Sequence, residues 1–184
     1  MDSEKLGEVT TGCAGVTTYT EQKSVPMVEI VDSNHKKITI SISGGNGGHS
    51  VVHIHDKHIY PINTIFSVLW EIPNIKLASI NGGTKFNAIP KDAEAVIYVP
   101  QENTDEVLQR LNAELSSVKQ AHSDTDPKLQ VSVVEDSTPA SSDEKVVDPE
   151  FQEKLFRIAG KQISSELIST YDDEHIKEEK NKKT

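Results

Sequence analysis

Two kinds of apolar periodicity divide the first half of the chain into strand-like and helix-like segments. In residues 37–43, isoleucines alternate with Lys, Thr and Ser, and this period of two is typical of a strand with one buried face. Between Pro61 and Pro73 the apolar positions follow helical spacing, which predicts an amphipathic helix that Pro61 opens and Pro73 ends. The apolar stripe of this helix consists of Ile62, Ile65, Phe66, Leu69 and Ile72.

The same two periods continue through the second half. Residues 75–80 and 94–99 are predicted strands, and residues 129–133 alternate along a third. A second helix is predicted between the strand at 94–99 and the strand at 129–133, with Asn103 and Glu106 as its capping pair. Its apolar stripe consists of Val107, Leu108, Leu111, Leu115 and Val118. The order β-α-β-β-α-β predicts an α+β, ferredoxin-like fold, in which an antiparallel sheet carries both helices on one face.

The flanking segments are less regular. A short strand is expected over residues 27–31, so that the ferredoxin-like domain spans residues 27–135. Residues 136–148 are rich in Ser, Thr, Pro and acidic side chains and are predicted to be a loop. Apolar spacing from Phe151 onward predicts an extra C-terminal helix, and residues 136–171 therefore form a linker with this helix. Residues 172–184 are charged and poor in apolar residues, so we expect a disordered tail.

Composition limits the binding partners and the cellular compartment that we expect for this protein. The formal net charge of −10 argues against nucleic acid or an anionic membrane surface as the main partner. Cys13 is the sole cysteine, which excludes an internal disulfide and fits a reducing compartment. The acidic start at Asp2 and Glu4 is unlike a signal peptide, and no apolar run has the length of a membrane span. We expect a cytoplasmic protein.

Two polar loops are candidates for chemistry. Residues 44–50 read Gly-Gly-Asn-Gly-Gly-His-Ser, and this stretch is either a plain turn or an arm that presents His49, whose charge can change near neutral pH. The second loop, residues 81–90, contains Asn87, whose amide can donate to and accept from a substrate carboxylate or carbonyl. The alternative for this loop is a simple connection between strands. The expected fold allows the two loops to lie close together.

Other titratable groups give weaker indications. His49, His53, His55 and His58 lie within ten residues, and imidazoles at close spacing suit zinc. In an extended segment, His53 and His55 would project on the same side. The alternative is an exposed polar segment that happens to be rich in histidine. From spacing alone, the acidic group around Asp2 has no assigned role.

Taken together, the motifs resemble the cytosolic aminoacyl-histidine (Xaa-His) dipeptidases, dizinc exopeptidases related to carboxypeptidase G and the aminoacylases. The first matching motifs are Gly47-Gly48-His49-Ser50 with Ile54-His55 and Asn63, and the second are Gly82-Gly83-Thr84 with Asn87-Ala88-Ile89-Pro90. The opening Asp2-Ser3-Glu4 is similar to the segment where the family's catalytic domain passes into its lid domain, so residues 1–26 would be a remnant of that junction.

The resemblance implies a role for each matching residue. His49 would polarise the scissile carbonyl, Asn87 would contact substrate, and Asp2 would be a zinc ligand. Complete family members hold two zinc ions, and their lid is a ferredoxin-like domain that mediates dimerisation. The remaining zinc ligands and the general base are expected upstream in a catalytic domain, and Phe86 stands where the family usually has Arg.

We therefore expect a lid piece that is inactive and binds no zinc by itself. It would form a homodimer or pair with a full-length relative, and a dipeptide would be its substrate only if a catalytic domain were supplied. The alternatives are a non-enzymatic interaction module and a histidine-cluster metal binder.

Overall fold

The computed structural model describes residues 24–30, 34–49, 53–85, 87–139 and 144–161. Within these ranges the chain forms eight strands and three α-helices, with short 3-10 helices at Ile54–Asp56 and Gln101–Asn103. In chain order the elements are β1 (Met27–Glu29), β2 (His35–Ser43), β3 (Gly48–His49), α1 (Pro61–Trp70), β4 (Lys76–Gly82), β5 (Ala88–Ile89), β6 (Ala93–Pro100), α2 (Thr104–Ala121), β7 (Gln130–Pro139), β8 (Lys145–Val147) and α3 (Pro149–Lys161).

Four of these strands form the main sheet, in the spatial order β4-β6-β2-β7, with every neighbouring pair antiparallel. In this register Ile38 of β2 lies opposite Ile97 of β6 on one side and Glu135 of β7 on the other. Helix α1 connects β2 to β4, and α2 connects β6 to β7. This topology confirms the predicted α+β, ferredoxin-like fold.

The alternation along β2 directs the core to the helix side of the sheet. Ile38, Ile40 and Ile42 are at most 1% exposed, and they share one buried cluster with residues of both helices. The helical members with the least exposure are Ile65, Leu69, Leu111 and Leu115. Burying each such side chain stabilises the fold by about 1.5–3 kcal/mol. The prediction that both helices lie on one face is confirmed.

The segments that flank the sheet pair with each other. Strands β1 and β8 form an antiparallel ribbon in which Val28 lies opposite Val146. Because the neighbouring Ile97 and Val99 belong to the helix-side core, Tyr98 points to the other face of the sheet. There it forms a small second cluster with Ile30 and Val146. The ribbon therefore covers part of the face that carries no helices.

Helix α3 confirms the predicted extra helix and covers one edge of the sheet. Phe156 packs edge-to-face on Phe66 of α1, with ring centroids 5.8 Å apart. The amide of Gln152 accepts a hydrogen bond from the Leu77 N–H (2.7 Å) and donates one to the Ile75 carbonyl (3.0 Å). One side chain thus satisfies the outer backbone groups at the start of β4, as a neighbouring strand would.

Two local predictions are wrong. Residues 136–148 were expected to be a loop, but β7 continues to Pro139 and β8 lies within the same stretch. Polar and acidic residues are common in loops, so composition alone does not reveal the end of β7 there. Asn103 occupies the N-cap position of α2 but forms no side-chain capping bond. The preceding 3-10 turn holds it at φ −102° and ψ −2°, outside the extended conformation that a capping side chain needs.

The terminal predictions lie outside the described residues. Residues 1–23, which include Asp2, and residues 162–184, which include the charged tail, belong to the ranges that the structure leaves undescribed. In the part of the chain that is described, no helix is both long and apolar enough to cross a membrane.

Candidate functional site

The two candidate loops meet in a small antiparallel ladder. Strand β3 pairs with β5, with Gly48 opposite Ile89 and His49 opposite Ala88. His49 is exposed, and Asn87, next to Ala88, is half-buried. The ladder is separate from the main sheet, beyond the ends of β2 and β4. The structure thus brings together two of the three predicted site residues. Asp2 lies outside the described ranges.

The glycine-rich arm, which we define as residues 44–49, leaves β2 through a left-handed turn. Gly44 has φ +77°, and a Cβ placed on it would lie 2.4 Å from the Lys128 carbonyl oxygen. Gly48 has φ +145°, and a Cβ there would lie 2.9 Å from the His53 ring. Both positions therefore require glycine, for conformation and for space.

Hydrogen bonds hold the first half of the arm in place. The Gly44 N–H donates to Asp92 Oδ1 (3.0 Å), and the Gly45 N–H donates to the Lys91 carbonyl (3.1 Å). The next N–H, that of Asn46, donates to Asp126 Oδ1 (2.8 Å). Three successive backbone N–H groups are thus satisfied by acceptors in the β5–β6 connection and in the α2–β7 connection. The arm is a positioned segment, although its composition alone is typical of a mobile turn.

Asp126 is a buried carboxylate at the base of the arm, and its residue is only 1% exposed. Besides Asn46, it accepts hydrogen bonds at Oδ2 from the Ile59 N–H (3.0 Å) and the Thr125 hydroxyl (2.9 Å). His58 Nδ1 lies 3.6 Å from Oδ1, and His122 Nδ1 lies 3.8 Å from Oδ2.

Opposing effects act on the pKa of Asp126. Burial by itself would raise the pKa of this carboxyl, but the hydrogen bonds from Asn46, Ile59 and Thr125 outweigh burial, and nearby His58 adds to them. The pKa is therefore held below its ordinary value, and the carboxylate is charged at neutral pH. A charged acceptor makes stronger hydrogen bonds than a neutral one.

The histidine cluster has a structural explanation at two of its members. The His49 N–H donates to His53 Nδ1 (3.0 Å), and the His53 N–H donates to the His49 carbonyl (2.9 Å). Residues 54–56 form a 3-10 helix, so the segment is not extended and the condition for placing His53 and His55 on the same side is not met. His58 instead lies between Asp56 and Asp126, with its Nε2 3.7 Å from the Asp56 carboxylate.

The described residues do not fit the zinc site that the resemblance implies. A catalytic zinc ion is generally held by three protein ligands. Among the residues with described positions, no three His, Cys, Asp or Glu side chains are grouped so that they could hold a metal ion. His53 Nδ1 already accepts the His49 N–H. Phe86, like Asp2, is not among the described residues.

Sequence reasoning missed Asp126 altogether. Residues 124–127 read as a helix break, and a break explains Asp and Pro without any further role. Asp126 lies 80 residues from Asn46 along the chain, so no local pattern connects them. One signal could have indicated Asp126. Like Asp92, it is an acidic residue in a loop that the predicted fold places near the end of the sheet where the glycine-rich loop begins.

Comparisons with known proteins agree with the fold. Residues 26–123 match the family described as "Peptidase dimerisation domain". The chain is 30% identical over 115 residues to the cytosol non-specific dipeptidase of Escherichia coli (strain K12), an alignment covering 60% of this chain and 23% of that protein. The crystal structure of the aminoacylhistidine dipeptidase from Vibrio alginolyticus is similar, with a TM-score of 0.61 and 20% identity.

These relatives are much longer than this chain. The Vibrio match covers 73% of this chain but 27% of that structure. The chain thus spans about a quarter of the length of either protein. At 20% identity, the Vibrio likeness establishes the fold and no more.

Proposed function

The chain belongs to the peptidase dimerisation domain family, and from this premise we propose that it serves as the lid and dimerisation part of a zinc-dependent Xaa-His dipeptidase. The observation that carries the proposal is the β3–β5 ladder, which puts exposed His49 beside the loop of Asn87. An imidazole on β3 and an amide in the turn that leads into β5 can contact neighbouring polar atoms of one small ligand. A dipeptide of the aminoacyl-histidine class is the ligand we propose.

His49 and Asn87 would have different tasks at such a site. His49 would donate a hydrogen bond to the scissile carbonyl oxygen as negative charge develops on it, which is the oxyanion type of stabilisation. Asn87 would hold another polar group of the dipeptide. Asp2 would be one ligand of a zinc site completed by a catalytic domain, and the location would be cytoplasmic. The chain alone would therefore be inactive.

A chimera tests the task of His49. Residues 26–135 would replace the matching segment of the E. coli dipeptidase, and kcat on an aminoacyl-histidine dipeptide would be measured. Removing one oxyanion donor costs about 10²–10³ in kcat, and we expect this loss for His49→Ala. His55→Ala is the matched control, because His55 is an exposed histidine of the same segment. A kcat for His49→Ala equal to that of the unsubstituted chimera would exclude His49 from the reaction.

The isolated chain gives a second measurement. Purified protein with added zinc or manganese is expected to show no turnover of β-alanyl-histidine. Turnover comparable to that of a full-length family enzyme would contradict the proposal that the chain is a lid piece.

Pairing with a second copy fits one edge of the main sheet. The outer edge of β4 is covered at its start by Gln152 of α3, as described above. The other edge strand, β7, is ten residues long and has no outer partner strand among the described residues. Val134 in β7 lies opposite Thr39, on the face of this edge strand that carries no helices, and it is 58% exposed. An uncovered edge strand is a template for pairing with another chain, so we propose β7 as the dimer edge.

The same observation favours the second candidate function, a non-catalytic module that pairs with itself or with a full-length dipeptidase. Light scattering of the chain would report the mass, with Val134→Lys expected to shift it toward the monomer. Ile158→Lys on α3 is the matched control, since Ile158 is also exposed (68%) but lies on a different element. A monomer in all three proteins, alone and mixed with the E. coli relative, would exclude pairing.

A further inference from the structure

The side chain of Asp126 binds the backbone at both ends of the segment from Asn46 to Ile59, which contains His49. Asp126 binds the Asn46 N–H through Oδ1 and the Ile59 N–H through Oδ2. The chain between these two residues includes β3 and the 3-10 helix Ile54–Asp56. Its two ends are therefore joined through the two oxygens of a single carboxylate.

We infer that Asp126 is the positioning residue that fixes where the arm presents His49, by clamping both ends of the segment between Asn46 and Ile59. The inference rests on the proposed function, because the position of His49 matters only if His49 contacts substrate. Asp126 itself contacts no reacting group and acts through the arm. It also lies beyond residue 123, where the match to the family ends.

The chemistry of the clamp requires a carboxylate. Both oxygens accept, and neither backbone donor has a second acceptor among the bonds that the structure shows for it. An asparagine of the same shape has one acceptor oxygen and one NH₂ donor, so one of the two N–H groups would face another donor. A buried donor left without an acceptor is costly, and the arm would move to find one in water.

Other bonds to the arm do not replace the clamp. Asp92 holds Gly44 through Oδ1 alone, at the start of the arm. The bonds between His49 and His53 lie within the segment itself. The β3–β5 ladder pairs Gly48 and His49 with Ile89 and Ala88, but it does not reach the returning end at Ile59. The Asn46 side-chain amide also donates to the Thr125 carbonyl, so the outgoing end has a second bond to the α2–β7 turn. Among the bonds shown for the described residues, the Asp126 carboxylate is the group that binds both Asn46 and Ile59.

Nuclear magnetic resonance on the whole 184-residue chain tests this inference. In Asp126→Asn, we expect amide exchange at Asn46 or Ile59 to accelerate about tenfold or more, as loss of a buried hydrogen bond implies. The backbone order parameter of His49 should fall from about 0.85 to below about 0.6. Amides of β2 and β6 in the core should keep wild-type order parameters.

Asp92→Asn is the matched control. Asparagine can still accept the hydrogen bond that Gly44 donates to Asp92, so the arm of this variant should remain as ordered as that of the wild type. An arm that stays ordered in Asp126→Asn, or that loosens equally in Asp92→Asn, would overturn the inference.

A second measurement covers the case in which Asp126→Asn does not fold. Acid titration of the wild-type chain would follow the Asp126 side-chain ¹³C signal together with the Asn46 and Ile59 amide protons. The two amides should shift with the same midpoint as the carboxyl, and amides that ignore its protonation would overturn the inference. If the arm loosens in Asp126→Asn while the same change leaves kcat of the chimera intact, the clamp stands and the proposed task of His49 fails.

Discussion

Gly44 and Gly83 are a matched pair that separates backbone conformation from lack of space. Their φ angles are nearly equal, +77° and +73°. A Cβ on Gly83 would meet only side-chain atoms at 3.5 Å or more, which is ordinary contact, whereas a Cβ on Gly44 would lie 2.4 Å from the Lys128 carbonyl oxygen. Replacing each glycine by alanine therefore imposes the same conformational cost, but only Gly44→Ala adds a clash with backbone.

The magnitudes follow from these two terms. Positive φ costs alanine about 1–2 kcal/mol, of which about 0.4–1 kcal/mol is offset because alanine restricts the unfolded chain. Gly83→Ala should thus lower the free energy of unfolding by about 1 kcal/mol. In Gly44→Ala, overpacking adds about 1–3 kcal/mol, and disturbing the bond from Gly44 to Asp92 adds about 1 kcal/mol. We expect a total of about 3–5 kcal/mol.

Urea denaturation followed by circular dichroism would measure the difference. With a slope of about 2 kcal/mol per molar urea, the midpoint of Gly44→Ala should lie at least about 1 M below that of Gly83→Ala. The slopes should be equal, which would show that the unfolded states are comparable. Equal midpoints for the two variants would refute the reasoning, because they would mean that the Lys128 carbonyl moves aside without cost.

Two further predictions concern buried polar contacts. The folded pKa of Asp126 lies below its unfolded value, so its stabilisation is present above about pH 3.9 and is lost as the pH falls through the folded pKa. Urea midpoints at pH 7, 5 and 3 should therefore fall more steeply in the wild type than in Asp126→Asn, and parallel profiles would contradict this. Gln152→Glu places a carboxylate against the Ile75 carbonyl and should lower the free energy of unfolding in urea by about 1–3 kcal/mol. Wild-type stability in this variant would mean that the contact at β4 contributes nothing.

The elements of the fold that sequence predicted are those whose signal is local. Strand β2 alternates without a break from residue 37 to residue 43, and α1 has both an opening proline and a continuous apolar stripe. Such patterns show which face of a strand or helix is apolar, and the apolar face is the one that packs into the core. The order of these elements then left few topologies, and the ferredoxin-like one is observed.

The features that could not be predicted from the sequence are either very short or depend on residues far apart in the chain. Strands β3 and β5 have two residues each, too few to show any period. The cap predicted at Asn103 fails because the preceding turn, which has no apolar pattern, sets the conformation of that residue. The candidate site was found through its glycines and polar residues, His49 and Asn87, whereas Asp126 was missed because its partners lie far from it in sequence.

The position of the arm is therefore a property of the assembled sheet. Asp92 precedes β6 and Asp126 precedes β7, and these two strands flank β2 on its two sides. The arm that continues from β2 reaches carboxylates on both sides only when both neighbours are paired in register. Glycine permits the turn at Gly44, but it does not select where the arm goes, because glycine accepts many conformations. The selection comes from Asp92, from Asp126 and from the pairing of β3 with β5, so the geometry of His49 depends on groups that are far from it in sequence.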